Sequence, residues 1–207
     1  MFFSKPKKDS QEQPSDPDAL LMVEFQQGKT VAFETLMRKY YGRVLNFIYR
    51  FVGNRAVAEE LTQDVFLRVH QGRRTYQPQA KFQTWIYTIA KNVALNELRS
   101  RKGTVSLDEV IVTKEGEVKR DLADQSAVNP QEELFRRERQ ALVAQAIASL
   151  PENQRMAVIL RRYDDFSYEE IAATLGCSVA AVKSLLSRAK ENLRDKLADL
   201  VEAASEL

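Results

Sequence analysis

The chain has 207 residues, 44% of them hydrophobic and 29% charged, and a net charge of +2. That is long enough for one or two packed cores and excludes a polycation of the histone kind, so any affinity for nucleic acid must come from local arrangement of charge. One cysteine, Cys177, excludes an intrachain disulfide framework or multi-cysteine zinc site, and the single histidine, His70, has no companion for metal or catalytic work. Glycine and proline are sparse, no apolar run reaches membrane-spanning length, and Met1 to Lys8 lacks an apolar leader core; an all-α, cytosolic protein is expected.

Residues 1–16 are polar, with Pro6 and Pro14, and read as a disordered tail. From Asp18 apolar residues recur at helical spacing through Leu21, Phe25, Phe33, Leu36, Tyr40, Val44, Ile48 and Phe51. Gly53-Asn54 is the first break read in that pattern. A helix is predicted over 56–70, with Val57, Ala58, Leu61, Val65, Phe66 and Val69 on one half. Glu59, Glu60, Gln63 and Asp64 form two acidic rows on the other half. Such a face serves a basic protein partner or is simply solvated.

The loop over 72–80 and a long helix over 82–101 carry the opposite charge. Arg73, Arg74, Lys81, Lys91, Arg99 and Arg101 occur here, and no Asp or Glu lies between Gln71 and Asn96. Tyr76, Phe82, Trp85 and Tyr87 are interleaved with them. Cations for phosphates and rings for stacking are the ingredients of a single-strand platform. Phe82, Trp85, Ile86, Ile89 and Val93 share one face and read as core. Tyr87 and Lys91 lie on the other and are the better contact candidates, and Tyr76 in the loop is expected to be freer still.

Residues 103–130 contain six acids against three bases and only weak strand character at Val105 to Val112. They read as a flexible acidic linker between two small helical domains, residues 17–102 and residues 131–200, with a C-terminal tail over 201–207. The second domain is expected to hold a helix to about Ser149 and another from Pro151, placed as a first-turn proline, to Tyr163. A helix-turn-helix follows. Ser167 and Glu170 form a capping box, Gly176 sits where a helix needs a left-handed residue, and Ser178 can cap the next helix. In that helix Val182, Leu186, Ala189 and Leu193 make a buried stripe. Lys183, Ser184, Ser187 and Arg188 face outward, where a recognition helix meets the major groove. Glu191, on the same outer face, either accepts from a cytosine amine or is solvated.

Taken together, Ala58-Glu59-Glu60-Leu61-Thr62-Gln63-Asp64-Val65-Phe66, Phe82 to Asn92, Leu150-Pro151-Glu152-Asn153-Gln154-Arg155 and the helix-turn-helix resemble the extracytoplasmic-function (ECF) class of bacterial sigma-70 family sigma factors. The resemblance spans about residues 17–198. It implies a promoter-specificity subunit with no cofactor, no metal and no catalysis of its own. Residues 17–102 would be sigma domain 2 and residues 131–200 sigma domain 4. Glu59, Glu60, Gln63 and Asp64 would dock on core RNA polymerase. Arg73, Arg74, Tyr76, Lys81, Tyr87, Lys91, Asn92 and Arg99 would hold the melted −10 element, with one base flipped into a pocket of the loop. Lys183, Ser184, Ser187 and Arg188 would read the −35 duplex, and a separate anti-sigma factor, in some relatives membrane-held, would regulate the protein. Lys183 stands where many relatives carry Arg, and a lysine cannot make the planar bidentate pair, so base choice does not transfer. The alternative is a helix-turn-helix regulator whose N-terminal helices dimerise or sense a ligand; it would bind duplex promoter without polymerase. An enzyme lacks support, with no phosphate-cradling glycine loop and no nucleophile–base constellation.

Overall fold

The computed structural model describes residues 16–104 and 130–205, which form eight α-helices and no strand. The first group is α1 (Pro17–Gln26), α2 (Thr30–Val52), α3 (Arg55–Gly72) and α4 (Phe82–Thr104). The second is α5 (Pro130–Ala148), α6 (Glu152–Tyr163), α7 (Tyr168–Leu175) and α8 (Val179–Ser205). The strand character read at Val105 to Val112, most of the acidic linker and most of the N-terminal tail lie outside the described residues.

The pattern read without a break from Asp18 to Phe51 is two helices. Gly28, at φ +96°, turns the chain after Gln26, and helical spacing resumes in register on the far side. Periodicity alone cannot see so short a turn. At the other end of α2, Gly53 closes the helix at φ +77°, donating its N–H to the Tyr49 carbonyl at 2.8 Å. Asn54 then caps α3 by accepting from Val57 N at 3.1 Å.

α2 is the central helix of the first group, packed against α1, α3 and α4. Leu36, Val44, Phe47 and Ile48 on it are fully buried. The second group wraps α5, α6 and α7 around α8. Its helix-turn-helix is built as its sequence predicts. Glu170 N donates to Ser167 Oγ at 3.2 Å, and Ser167 N donates back to Glu170 Oε2 at 2.8 Å. Gly176 takes φ +69°, and Ala181 N donates to Ser178 Oγ at 3.1 Å. Pro151 is the residue before α6, not inside its first turn.

The two groups pack on each other through α4 against α7 and α2 against α6, and their apolar cores merge into one cluster. The connection between α6 and α7 makes this possible. Asp165 sits at φ +57°, a left-handed conformation that Asp tolerates better than most residues. That turn places Asp164 and Phe166, both buried, against the first group.

Candidate nucleic-acid interface

The acidic side of α3 is outward, and its charge is partly balanced. Arg55 Nε donates to Glu59 at 2.8 Å and Arg68 Nη2 pairs with Asp64 at 2.9 Å, each one turn away. Exposed pairs of this kind contribute a few tenths of a kcal/mol and do not remove the charge from solvent (~0.3–0.5). Glu60 and Gln63 are exposed between them, and among the described residues no ion pair engages Glu60. Thr62, read with neither face, is fully buried on the core side and donates its hydroxyl to the Ala58 carbonyl at 2.6 Å.

The basic loop and α4 differ from expectation at their aromatic residues. Arg74, Lys81, Asn92 and Arg99 are exposed, and Arg73 is half-buried with its guanidinium 5.2 Å from the Phe25 ring. Tyr76, expected to be free in the loop, is only 5% exposed. Its ring packs edge-on against Trp85 at 4.8 Å and against Phe82 at 6.2 Å. Its hydroxyl is buried with no partner, and burial, then the nearby Asp16 and Asp18 carboxylates, push its pKa up to about 12. The ring wins this placement because two aromatic rings, Trp85 and Phe82, lie against it, and the orphaned hydroxyl is the cost.

Tyr87 and Lys91, read as outward-facing, are taken by the second group. Tyr87 is fully buried between Phe47 and Phe166, and its hydroxyl donates to Asp164 Oδ1 at 2.5 Å. Burial, with the Asp164 charge added to it, raises the phenol well above its ordinary range. Burial also raises the Asp164 carboxyl, although the Tyr87 hydroxyl and the neighbouring Arg43 and Arg50 pull the other way. Lys91 Nζ donates to the Thr174 carbonyl near the C-terminal end of α7 at 2.8 Å, and burial lowers its pKa. A cation at a helix C-terminus is favourably placed. Lys81 pairs with Glu170 at 2.8 Å, so the capping-box carboxylate serves both groups. Burial opposes ionisation of Glu170, but hydrogen bonds from Lys81 and Ser167 outweigh it and hold the carboxyl below its usual range.

Thus α4 has the apolar face its sequence shows, and α7 covers the opposite one. The α7-side partners Asp164, Glu170 and Thr174 were not legible, nor was Arg155. The Arg155 guanidinium donates to the Phe51 carbonyl at 2.9 Å and to the Leu150 carbonyl at 3.2 Å. Arg155 follows Glu152-Asn153-Gln154 at the polar start of α6, so nothing local marked it for that role. On α8, Lys183, Ser184, Ser187 and Arg188 are all exposed, while Val182 and Ala189 behind them are fully buried. The −35 candidates therefore share an open surface; of the −10 candidates, Tyr76 and Tyr87 are buried, Arg73 and Lys91 are half-buried, and Lys81, though exposed, is paired with Glu170.

A capped helix-turn-helix with Lys183 and Arg188 on its outward face has the geometry of a DNA-binding domain. Residues 36–104 match the family model of sigma-70 region 2, and residues 139–193 match that of sigma-70 region 4. Over 190 residues the chain is 33% identical to the RNA polymerase sigma-H factor of Pseudomonas aeruginosa, covering 91% of this chain and 98% of that protein. It is 31% identical over 184 residues to the ECF RNA polymerase sigma-E factor of Escherichia coli K12, covering 89% and 96% of the two chains. CnrH, solved with the cytosolic domain of CnrY, shares the fold at a TM-score of 0.63 and 24% identity, over 91% of this chain and 99% of that one. So does the sigma factor RpoE of Bartonella quintana, solved with the anti-sigma factor NepR, at a TM-score of 0.58 and 23% identity over 80% and 96%. The chain belongs to the sigma-70 family, in its ECF class.

Proposed function

We propose that this sigma factor binds core RNA polymerase, directs it to promoters with distinct −35 and −10 elements, and assists strand melting. Residues 17–102 act on the polymerase and the −10 strand, and residues 131–200 read the −35 duplex. The observation that carries this reading is the open α8 face, where Lys183, Ser184, Ser187 and Arg188 stand exposed on a capped helix-turn-helix. Cations and small hydroxyl side chains on a helix of this kind suit close approach to base edges. Arg73, Arg74, Lys81, Tyr87, Lys91, Asn92 and Arg99 serve the melted −10 strand, and Tyr76 supports the loop from beneath through its ring contacts with Trp85 and Phe82. Strand contact at Tyr87 and Lys91 requires α7 to leave α4, so the promoter-bound form is an opened one. The protein works in the cytoplasm, and an anti-sigma factor restrains it, as NepR is found with the Bartonella relative.

Transcription by sigma-free bacterial core polymerase on a pool of genomic fragments tests the proposal. Discrete new start sites that depend on this protein are expected. Tight binding to duplex DNA without polymerase, and no new start sites with it, would instead favour a stand-alone regulator.

The acidic rows of α3 supply the polymerase contact. Reversing Glu60 and Asp64 to Lys should weaken affinity for core polymerase about tenfold, since charge juxtaposed to like charge at an interface costs on the order of a kcal/mol or more. Stability should hardly change, because only the exposed Arg68 pair is lost. Titration of labelled core polymerase beside a thermal melt separates the two. Unchanged affinity would remove this face from the proposed interface.

A further inference from the structure

The loop over 73–81 has few backbone bonds of its own. Thr75 N donates to the Gly72 carbonyl at 3.1 Å and Gln79 N to the Gln77 carbonyl at 2.8 Å. What holds it is α1, far away in sequence. The Asp16 carboxylate caps two helices at once. Its Oδ1 accepts from Asp18 N at 3.1 Å at the start of α1, and its Oδ2 accepts from Phe82 N at 2.6 Å at the start of α4. At the far end of α1, Gln26 Nε2 donates to the Tyr76 carbonyl at 2.8 Å, in the middle of the loop. Between these points Phe25 lies under the Arg73 guanidinium. Asp18, buried, anchors the same helix to α2 through Lys39 at 2.6 Å and the Tyr40 hydroxyl at 2.5 Å, and the Tyr40 ring packs edge-on to Phe82.

The loop is therefore fixed at its beginning, middle and end by one short helix. Arg74, Gln77, Gln79 and Lys81 remain exposed on the outer side. We propose that Asp16 and Gln26 are positioning residues for −10 recognition: α1 is a splint that holds the loop in its strand-binding shape before the strand arrives. This rests on the reading of that loop as the −10 contact. Neither residue touches DNA in this scheme; each acts by sparing the loop the entropy of ordering on binding. A carboxylate suits position 16 because it offers two acceptors to two N–H groups, each at the positive end of a helix.

The test uses full-length protein assembled with core polymerase. The probes are a short single-stranded DNA carrying the non-template −10 sequence of a mapped start site, a scrambled strand, and the −35 duplex. Asp16→Ala should weaken cognate-strand binding about tenfold, on the basis of two lost caps. Scrambled-strand binding, −35 binding and core affinity should stay within about twofold, since phosphate attraction does not need the loop's shape. Asp16→Asn retains one carbonyl acceptor and should fall between wild type and Asp16→Ala. Gln26→Ala, which leaves both caps in place, should reproduce the selective loss more weakly. An equal loss on cognate and scrambled strands, tracking a lowered melting temperature, would reduce α1 to a general stabiliser and overturn the proposal. Cognate binding unchanged in both Asp16→Ala and Gln26→Ala would overturn it directly. Failure of the wild-type holoenzyme to prefer the cognate strand would overturn the −10 reading itself, and the splint with it.

Discussion

Tyr87→Phe should open the contact between α4 and α7 and strengthen binding to core polymerase. The substitution keeps the ring that packs on Phe47 and Phe166 and removes only the hydroxyl. That hydroxyl donates to Asp164 Oδ1, while Asp164 Oδ2 is already buried without a partner. Its loss strands a desolvated carboxylate, a cost of about 1–3 kcal/mol. The cost is relieved when α7 moves away and water reaches Asp164, so it falls on the docked state alone. If the opened form is the one that binds polymerase, apparent affinity rises in proportion to its population, by roughly 5- to 150-fold. Asp164→Leu in the same chain removes the stranded charge and should return docking toward wild type, because replacing a buried polar pair by apolar groups is far milder than breaking it. The protein carries its own reporters: its single tryptophan, Trp85, is on α4, and its single cysteine, Cys177, is exposed in the turn after α7. Energy transfer from Trp85 to a dye on Cys177 should fall in Tyr87→Phe and recover in the double variant. Unchanged transfer and unchanged polymerase affinity would mean that this contact does not limit opening.

The same contact shows which parts of the molecule were legible in the sequence. Ser167, Glu170, Gly176 and Ser178 act within one turn of themselves, so residue type and spacing were enough to place the helix-turn-helix and its outward face. The apolar stripe of α4 was equally plain. Its second face was not, because the groups that engage Tyr87 and Lys91 on it, and Lys81 just before it, lie 77, 83 and 89 residues away. A tyrosine and a lysine at helical spacing look solvent-facing until a partner with a carboxylate and a free helix carbonyl arrives. Tyr76 misled for a related reason. Its neighbours Arg74, Thr75, Gln77 and Pro78 have the composition of an exposed loop, yet its ring has Trp85 and Phe82 to lie on, and no local pattern reports that. Asp16, read as the end of a disordered tail, is instead the N-cap of α1, and its second acceptor serves Phe82, 66 residues on.

Replacing Arg188 by Ala should lower affinity for the −35 duplex by about 1–3 kcal/mol if its guanidinium reads a base. Arg188 stands exposed on α8, with Ser184 one turn before it, Ser187 next to it in the chain, and Val182 and Ala189 packed beneath. The buried residues hold the helix at a fixed depth, and the two serines keep its surface low enough for a long side chain to reach the groove floor. A guanidinium can pair with guanine O6 and N7 at once, and few other side chains can. Lys183, also exposed, is a point charge that serves a phosphate as readily as a base, so Lys183→Ala should cost less and cost it evenly. Holoenzyme binding to a set of duplexes that vary one −35 position at a time distinguishes the roles. A base contact predicts that Arg188→Ala flattens the preference at one position while leaving the others intact. A phosphate contact predicts an equal loss on every sequence and a salt dependence shallower by about one counterion. Because α8 keeps this face open even while α7 covers α4, the Arg188 effect should also appear in the protein without polymerase, whereas any effect of Lys91→Ala on the −10 strand should appear only once the two helical groups have parted.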